Sequence, residues 1–141
     1  MPIQISENQL KEIAELLDCG MICFYHRENK ELEYYPDPFK QYDVDEEAWG
    51  EVMDKVEENY QDYLRFEPMS GTDAFRVMED FVATIPSQHI QYALMQVLSR
   101  RKPFQGFNHL LLQYPHLREQ WFVYKSDQYI KFVREQIEEK D

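Results

Sequence analysis

Residues 70–121 constrain the fold more than any other stretch of the chain. Ser70 is followed three residues later by Asp73, the spacing of a helix N-cap and its reciprocal partner in a capping box. Phe75, Met78, Val82 and Ile85 then recur at i, i+3, i+7 and i+10, with Phe81 alongside, which puts them on one face of a helix. Pro86 closes that helix and Ser87 caps the next, in which Ile90, Leu94, Val97 and Leu98 face inward. Arg100, Arg101 and Lys102 are expected in its last turn, at the negative end of the helix dipole. Pro103 suits the first position of a further helix, with Phe104, Phe107 and Leu111 inward. Pro115 opens the last helix, carrying Leu117, Trp121 and Tyr124. Ser126-Asp127 offers a restart ahead of Tyr129, Phe132, Val133 and Ile137. Residues 69–141 therefore read as all-helical.

Residues 1–68 read differently. Ser6 and Gln9 make another capping box, with Ile5 and Leu10 at the positions of a hydrophobic staple. Leu10, Ile13 and Leu17 continue a helix over 7–17, and Gly20 can take the left-handed conformation that ends it. Residues 21–26 and 32–35 are rich in strand-forming types around a Glu28-Asn29-Lys30 turn, an antiparallel hairpin that Pro36 and Pro38 stop. Asp43 or Asp45 begins a helix whose inward face is Trp49, Val52, Val56 and Tyr60. Tyr63-Leu64-Arg65-Phe66 alternates, and a strand over 63–67 with Leu64 and Phe66 inward would give the hairpin its third partner. The expectation is a single α+β domain: a small antiparallel sheet of about three strands in the N-terminal half, and helices in the rest.

Met78-Glu79-Asp80-Phe81, residues 94–98, Pro103-Phe104-Gln105-Gly106-Phe107 and residues 117–121 ending in Trp121 together resemble a bacterial family of small cytosolic proteins, UPF0158-like and labelled only as uncharacterised. In that family a Met-x-Asp-Phe helix precedes a helical segment, a Phe-x-x-Phe segment and a Trp. The likeness covers residues 18–137. It departs just before Phe104, where Arg100-Arg101-Lys102-Pro103 replaces a Gly-rich or Ala-containing approach. The resemblance implies a fold and supplies no activity, substrate or catalytic residue.

Charge is unevenly spread. Residues 1–85 hold 21 acids and 7 bases, a net of −14, and residues 86–141 hold 6 acids and 8 bases, a net of +2, giving −12 for the chain. Residues 37–62 alone hold 10 acids against Lys40 and Lys55. Such a surface repels phosphates and anionic membranes, and reads either as a solvated acidic face that keeps the protein soluble or as an attraction to a basic partner. With 43% hydrophobic and 15% aromatic residues, a chain of 141 residues buries on the order of 70% of its unfolded surface without a disulfide or metal. Cys19 and Cys23, four apart, sit too far apart along a strand to bond, and read as two small buried thiols of a reducing cytoplasm. There is no signal-peptide pattern at the N-terminus, and no stretch approaches the ~20 apolar residues of a membrane span.

Catalytic signatures are scarce. No Gly-x-Ser-x-Gly elbow, His-Glu-x-x-His pair or phosphate loop occurs, and the four glycines do not cluster, so no cofactor is expected. A metal set of Cys23 and His26 fails because a strand puts the two on opposite faces, and Pro115 breaks the register between His109 and His116. The acidic run over residues 37–62 lacks the alternating oxygen donors around a central Gly that a calcium loop needs. Asp80, flanked by Glu79 and Phe81, is the single carboxyl worth separating from the rest. Tyr34, Tyr35, Phe39 and Tyr42 cluster beside the acidic helix, either as core-edge rings or as anchors of a partner patch with an acidic rim.

The reading that follows is a non-enzymatic, acidic protein-interaction or regulatory module with a basic protein partner. Its alternative is a nucleic-acid-associated factor using Arg100, Arg101 and Lys102. An enzyme of unrecognised type comes third. Candidate partner-binding residues are Tyr35, Phe39, Glu51, Asp54, Glu58, Asp80, Arg100, Arg101 and Lys102.

Overall fold

A computed structural model describes residues 4–38 and 45–140. The fold is α+β. In chain order the elements are α1 (Glu7–Asp18), β1 (Met21–His26), β2 (Leu32–Pro36), α2 (Glu46–Glu58), a 3-10 turn (Tyr60–Asp62), β3 (Tyr63–Phe66), α3 (Gly71–Ala83), α4 (Gln88–Leu98), α5 (Pro103–Leu111) and α6 (Pro115–Lys140). They form two compact units, Met1–Pro68 with Tyr129–Asp141, and Met69–Gln128. Phe39, Tyr42 and Asp43 lie outside the described residues.

The first unit is built on an antiparallel sheet of order β2-β1-β3. The hairpin and the third strand expected from the sequence are both present, and Pro36 is tolerated because β2 is an edge strand. Ile22 pairs with Tyr35 and His26 with Tyr63, so Ile22, Phe24, Tyr35 and Tyr63 share a face. Val56 of α2 packs there, with Trp49, Val52 and Met53 behind it. Cys23 and Tyr25 point the other way, in register with Phe66 and Leu64. On that side α1 meets β1 with Leu10, Ile13, Ala14 and Leu17 buried.

Because both faces are covered, Tyr63 is buried as well as Leu64 and Phe66, where alternation predicted one inward face. Tyr60 is the opposite correction. The α-helix ends at Glu58, the 3-10 turn breaks its register, and Tyr60 is 58% exposed. Cys19 also differs from expectation. It caps the end of α1 and is exposed, and only Cys23 is buried.

Local bonds lock the first unit. The Ser6 hydroxyl accepts from the Gln9 amide at 3.2 Å, and the Gln9 side chain donates to Lys30 O at 2.7 Å, tying α1 to the hairpin turn. Gln136 of α6 donates to Glu67 O at 3.1 Å and accepts from Glu67 N at 3.3 Å, satisfying both backbone groups just beyond β3. Arg134 grips both Glu7 carboxylate oxygens at 2.8 and 3.0 Å.

The second unit holds α3, α4, α5 and residues 115–128 of α6. Ser70 and Ser87 cap α3 and α4 as predicted, accepting from Asp73 N at 3.1 Å and Ile90 N at 3.3 Å. Met78, Phe81, Val82, Ile85, Leu94, Leu98, Phe107, Leu111 and Trp121 form one core. Trp121 sits at its centre, 4% exposed, with ring centroids 5.2 Å from Phe81 and 5.0 Å from Phe107. Gly106 allows α5 to approach α4, since a Cβ there would lie 2.7 Å from a Val97 methyl.

Two expectations fail in this unit. Phe104 is 42% exposed, because Phe107 and Leu111 already fill the inward face of the short α5. No restart occurs at Ser126: α6 runs unbroken, and Ser126 and Asp127 are exposed residues that a helix tolerates without capping.

Candidate functional site

Two surfaces gather the residues singled out in the sequence. The first is the outer face of α2. Asp45 caps the helix, accepting from Glu47 N at 3.0 Å, and Glu46 and Glu47 stand in the first turn where the dipole favours them. Glu51, Asp54, Glu57 and Glu58 follow, all exposed. The helix has one base, Lys55, and the sheet takes it: its Nζ lies 2.8 Å from Glu33 Oε1 and 4.0 Å from Glu31 Oε2. That hydrogen bond to Glu33 is the main cause pushing the Lys55 pKa up. None of the six α2 carboxylates has an ion-pair partner among the described residues. A groove of about 570 Å³ runs along this face, edged by Glu46, Gly50, Glu51, Met53, Asp54 and Glu57.

Tyr35 does not join this surface. It is 7% exposed and stacked on Phe24 at 5.2 Å, so the expected anchor is a core ring whose phenol burial pushes to a higher pKa. Phe39 lies outside the described residues.

The second surface is cationic. Arg100, Arg101 and Lys102 are not in the last turn of α4, which ends at Leu98; they form the connection into α5. Lys102 adopts a left-handed conformation (φ 54°) as the residue ahead of Pro103. The cluster therefore stands between the C-terminal end of α4, whose negative dipole end favours it, and the positive end of α5, which does not. On α6, Arg118 Cζ lies 4.7 Å and Lys125 Nζ 5.5 Å from the centroid of the half-exposed Phe122 ring. Arg118 and Lys125 were legible as cations; Phe122 was missed because it falls off the inward stripe. The i, i+4, i+7 spacing of Arg118, Phe122 and Lys125 was the available signal. Asp80 is exposed on α3, near enough to Tyr124 to add to the burial that pushes its phenol pKa up.

A family model described as an uncharacterised protein family, UPF0158, matches residues 25–141. The chain belongs to the UPF0158 family. It is similar to the UPF0158 protein PA5073 of Pseudomonas aeruginosa, 29% identical over 99 residues, which make up 70% of this chain. The chain spans 65% of that relative's length. No solved structure matches it.

Cys23 of this UPF0158 chain is not set up for nucleophilic chemistry. Burial first, and the Glu12 carboxylate second, push the Cys23 thiol up to about 12, which keeps it protonated and inert at neutral pH. In the second unit a groove of about 530 Å³ opens between Phe81 and Thr84 of α3 and His116, Glu119, Gln120, Val123, Tyr124 and Asp127 of α6. The Thr84 hydroxyl donates to Phe81 O at 2.6 Å, and no hydrogen bond links His116, Glu119 and Asp127 to one another. Among the described residues no three His, Cys, Asp or Glu side chains converge on a metal position. Among them also, no helix is long and apolar enough to cross a membrane.

Proposed function

We propose that this UPF0158 chain is a non-enzymatic protein-interaction module that receives a basic segment of another protein on the outer face of α2. The observation that carries this reading is the pairing of Lys55 with Glu33, 2.8 Å apart. It removes the one cation of α2 from its outer face and leaves six carboxylates uncompensated, four of which, Glu46, Glu51, Asp54 and Glu57, line a groove with Gly50 and Met53. A helix so loaded repels itself and gains when cations of a partner replace that repulsion. Met53 and the groove supply apolar contact inside a charged rim.

The test uses a labelled Lys/Arg-rich peptide and a salt titration. Binding is expected at low salt and should fade as ions screen exposed charges over about 10 Å at 0.1 M. Reversing Glu51, Asp54 and Glu58 to Lys should abolish it with the melting temperature nearly unchanged. Reversing Glu135, Glu138 and Glu139 on α6 makes the same change in net charge and should leave most of the binding. Equal losses from the two triple variants would show net charge alone at work and end the proposal.

A further inference from the structure

The helical unit carries a feature that an acidic interaction module does not use. Residues 81–117 contain no Asp or Glu, and their only Lys and Arg are Arg100, Arg101 and Lys102. The water-facing side chains there include Gln88, His89, Gln96, Gln105, Asn108 and His109, all exposed. Amides and imidazoles of this kind offer the donors and acceptors that base edges require.

On α6, Phe122 is 42% exposed with Arg118 and Lys125 over its ring at 4.7 and 5.5 Å. Lys125 also lies 5.8 Å from the Trp121 ring, and Trp121 meets Phe107 of α5 at 5.0 Å. One turn ahead of Phe107, Phe104 is 42% exposed, directly after Lys102 and Pro103. The basic turn leads directly into α5, and α5 meets α6 where Phe107 packs on Trp121. Arg100, Arg101, Lys102 and Arg118 have no ion-pair partner among the described residues.

We propose that this surface of the second unit binds single-stranded nucleic acid, with phosphates on Arg100, Arg101, Lys102, Arg118 and Lys125 and a base stacked on Phe122. Cations interleaved with exposed rings match a strand whose phosphates and bases alternate. A duplex hides its base faces, and the net charge of −12 opposes a long one. The surface is distinct from the α2 face, and neither reading depends on the other.

Fluorescence anisotropy with a labelled oligo(U) of about 12 nucleotides tests it. Binding is expected at low salt. Phe122→Ala should weaken it roughly tenfold, the size of one lost base stack. Arg101→Gln should lower the log–log salt slope by about 0.7, one phosphate contact on a single strand. Both residues face water, so the melting temperature should hold. Should Phe122→Ala lower it, Phe122→Leu, which keeps an apolar contact and removes the ring, carries the test and should show the same loss. Any one of three results overturns the proposal: no binding at low salt; Phe122 variants and Arg118→Gln binding like the unmodified chain; or a duplex, an acidic peptide or phosphatidylserine vesicles bound as tightly with the same dependence on Phe122.

Discussion

The two units each have an apolar core of their own and present different surfaces to water. Residues 1–68 with 129–141 hold 22 acids and 9 bases, a net of −13, whereas residues 69–128 hold 5 acids and 6 bases, a net of +1. The ion pairs of Lys55 with Glu31 and Glu33, Arg65 with Glu67, and Arg134 with Glu7 all belong to the first unit. Of the exposed large apolar side chains there, only Tyr60 is in the first unit; Tyr92, Met95, Phe104, Leu112, Phe122 and Val123 are in the second. An anionic surface stays solvated and selects cations. A near-neutral surface with exposed rings lacks that repulsion and has the composition of contact surfaces. The contrast teaches that one small chain can carry two chemically different surfaces, with a basic partner proposed for the first and an anionic one for the second.

The largest expected effect strikes the second unit. Trp121→Ala should destabilise by about 3–5 kcal/mol in a denaturant titration, because Phe81 and Phe107 lose the ring they pack on. Trp121→Phe should cost much less, since the buried indole N–H has no hydrogen-bond partner among the described residues and its removal leaves nothing unpaired. Native Trp fluorescence freely quenched by iodide at Trp121 would contradict the core placement.

The next belongs to the first unit and to pH. The folded Cys23 thiol, pushed up to about 12, keeps its proton at pH values where the unfolded thiol has lost it. The folded state then binds more protons, so stability is intact below about pH 9 and falls as pH rises toward 12. The loss is roughly 4 kcal/mol for a shift of about three pKa units. Tyr25, Tyr35 and Tyr63, raised by burial, act with the same sign in this unit. Cys23→Ala should flatten the alkaline slope, and an unchanged slope would sink the assignment. At neutral pH an aromatic disulfide reagent should titrate Cys19 at once and reach Cys23 only on unfolding.

A single type of substitution sharpens the contrast further. Gly106→Ala in α5 drives a methyl to 2.7 Å from Val97 and should destabilise by about 1–3 kcal/mol. Gly50→Ala in α2 meets nothing within 4 Å and should stabilise by about 0.5–1 kcal/mol. Equal signs in thermal melts would mean that α4 and α5 are not as close as described.

The smallest effect is the Glu7–Arg134 pair, exposed despite its two short bonds. A double-mutant cycle should give about 0.2–1 kcal/mol, vanishing in high salt.

Much of this was legible in the residues. Ser6, Asp45, Ser70 and Ser87 each act on amides two or three positions away, so their caps depend on local sequence alone. The inward stripe from Phe75 to Ile85 and the pairing of 21–26 with 32–36 follow from side-chain period, which is likewise local. The acidic face of α2 was visible for the same reason. What tertiary structure alone decided was which local signals end and what covers them. Tyr60 continues the α2 stripe on paper and faces water because the helix stops two residues earlier. Tyr35 read as either a core-edge ring or a partner anchor, and α2, closing over its side of the sheet, makes it core. Arg100, Arg101 and Lys102 left the last turn of α4 because that helix ended at Leu98, and Phe122 stays in water because the core is filled by Trp121 beside it. Sequence period sets which residues share a face; only packing, which depends on distant segments, sets where an element stops and whether that face meets protein or water.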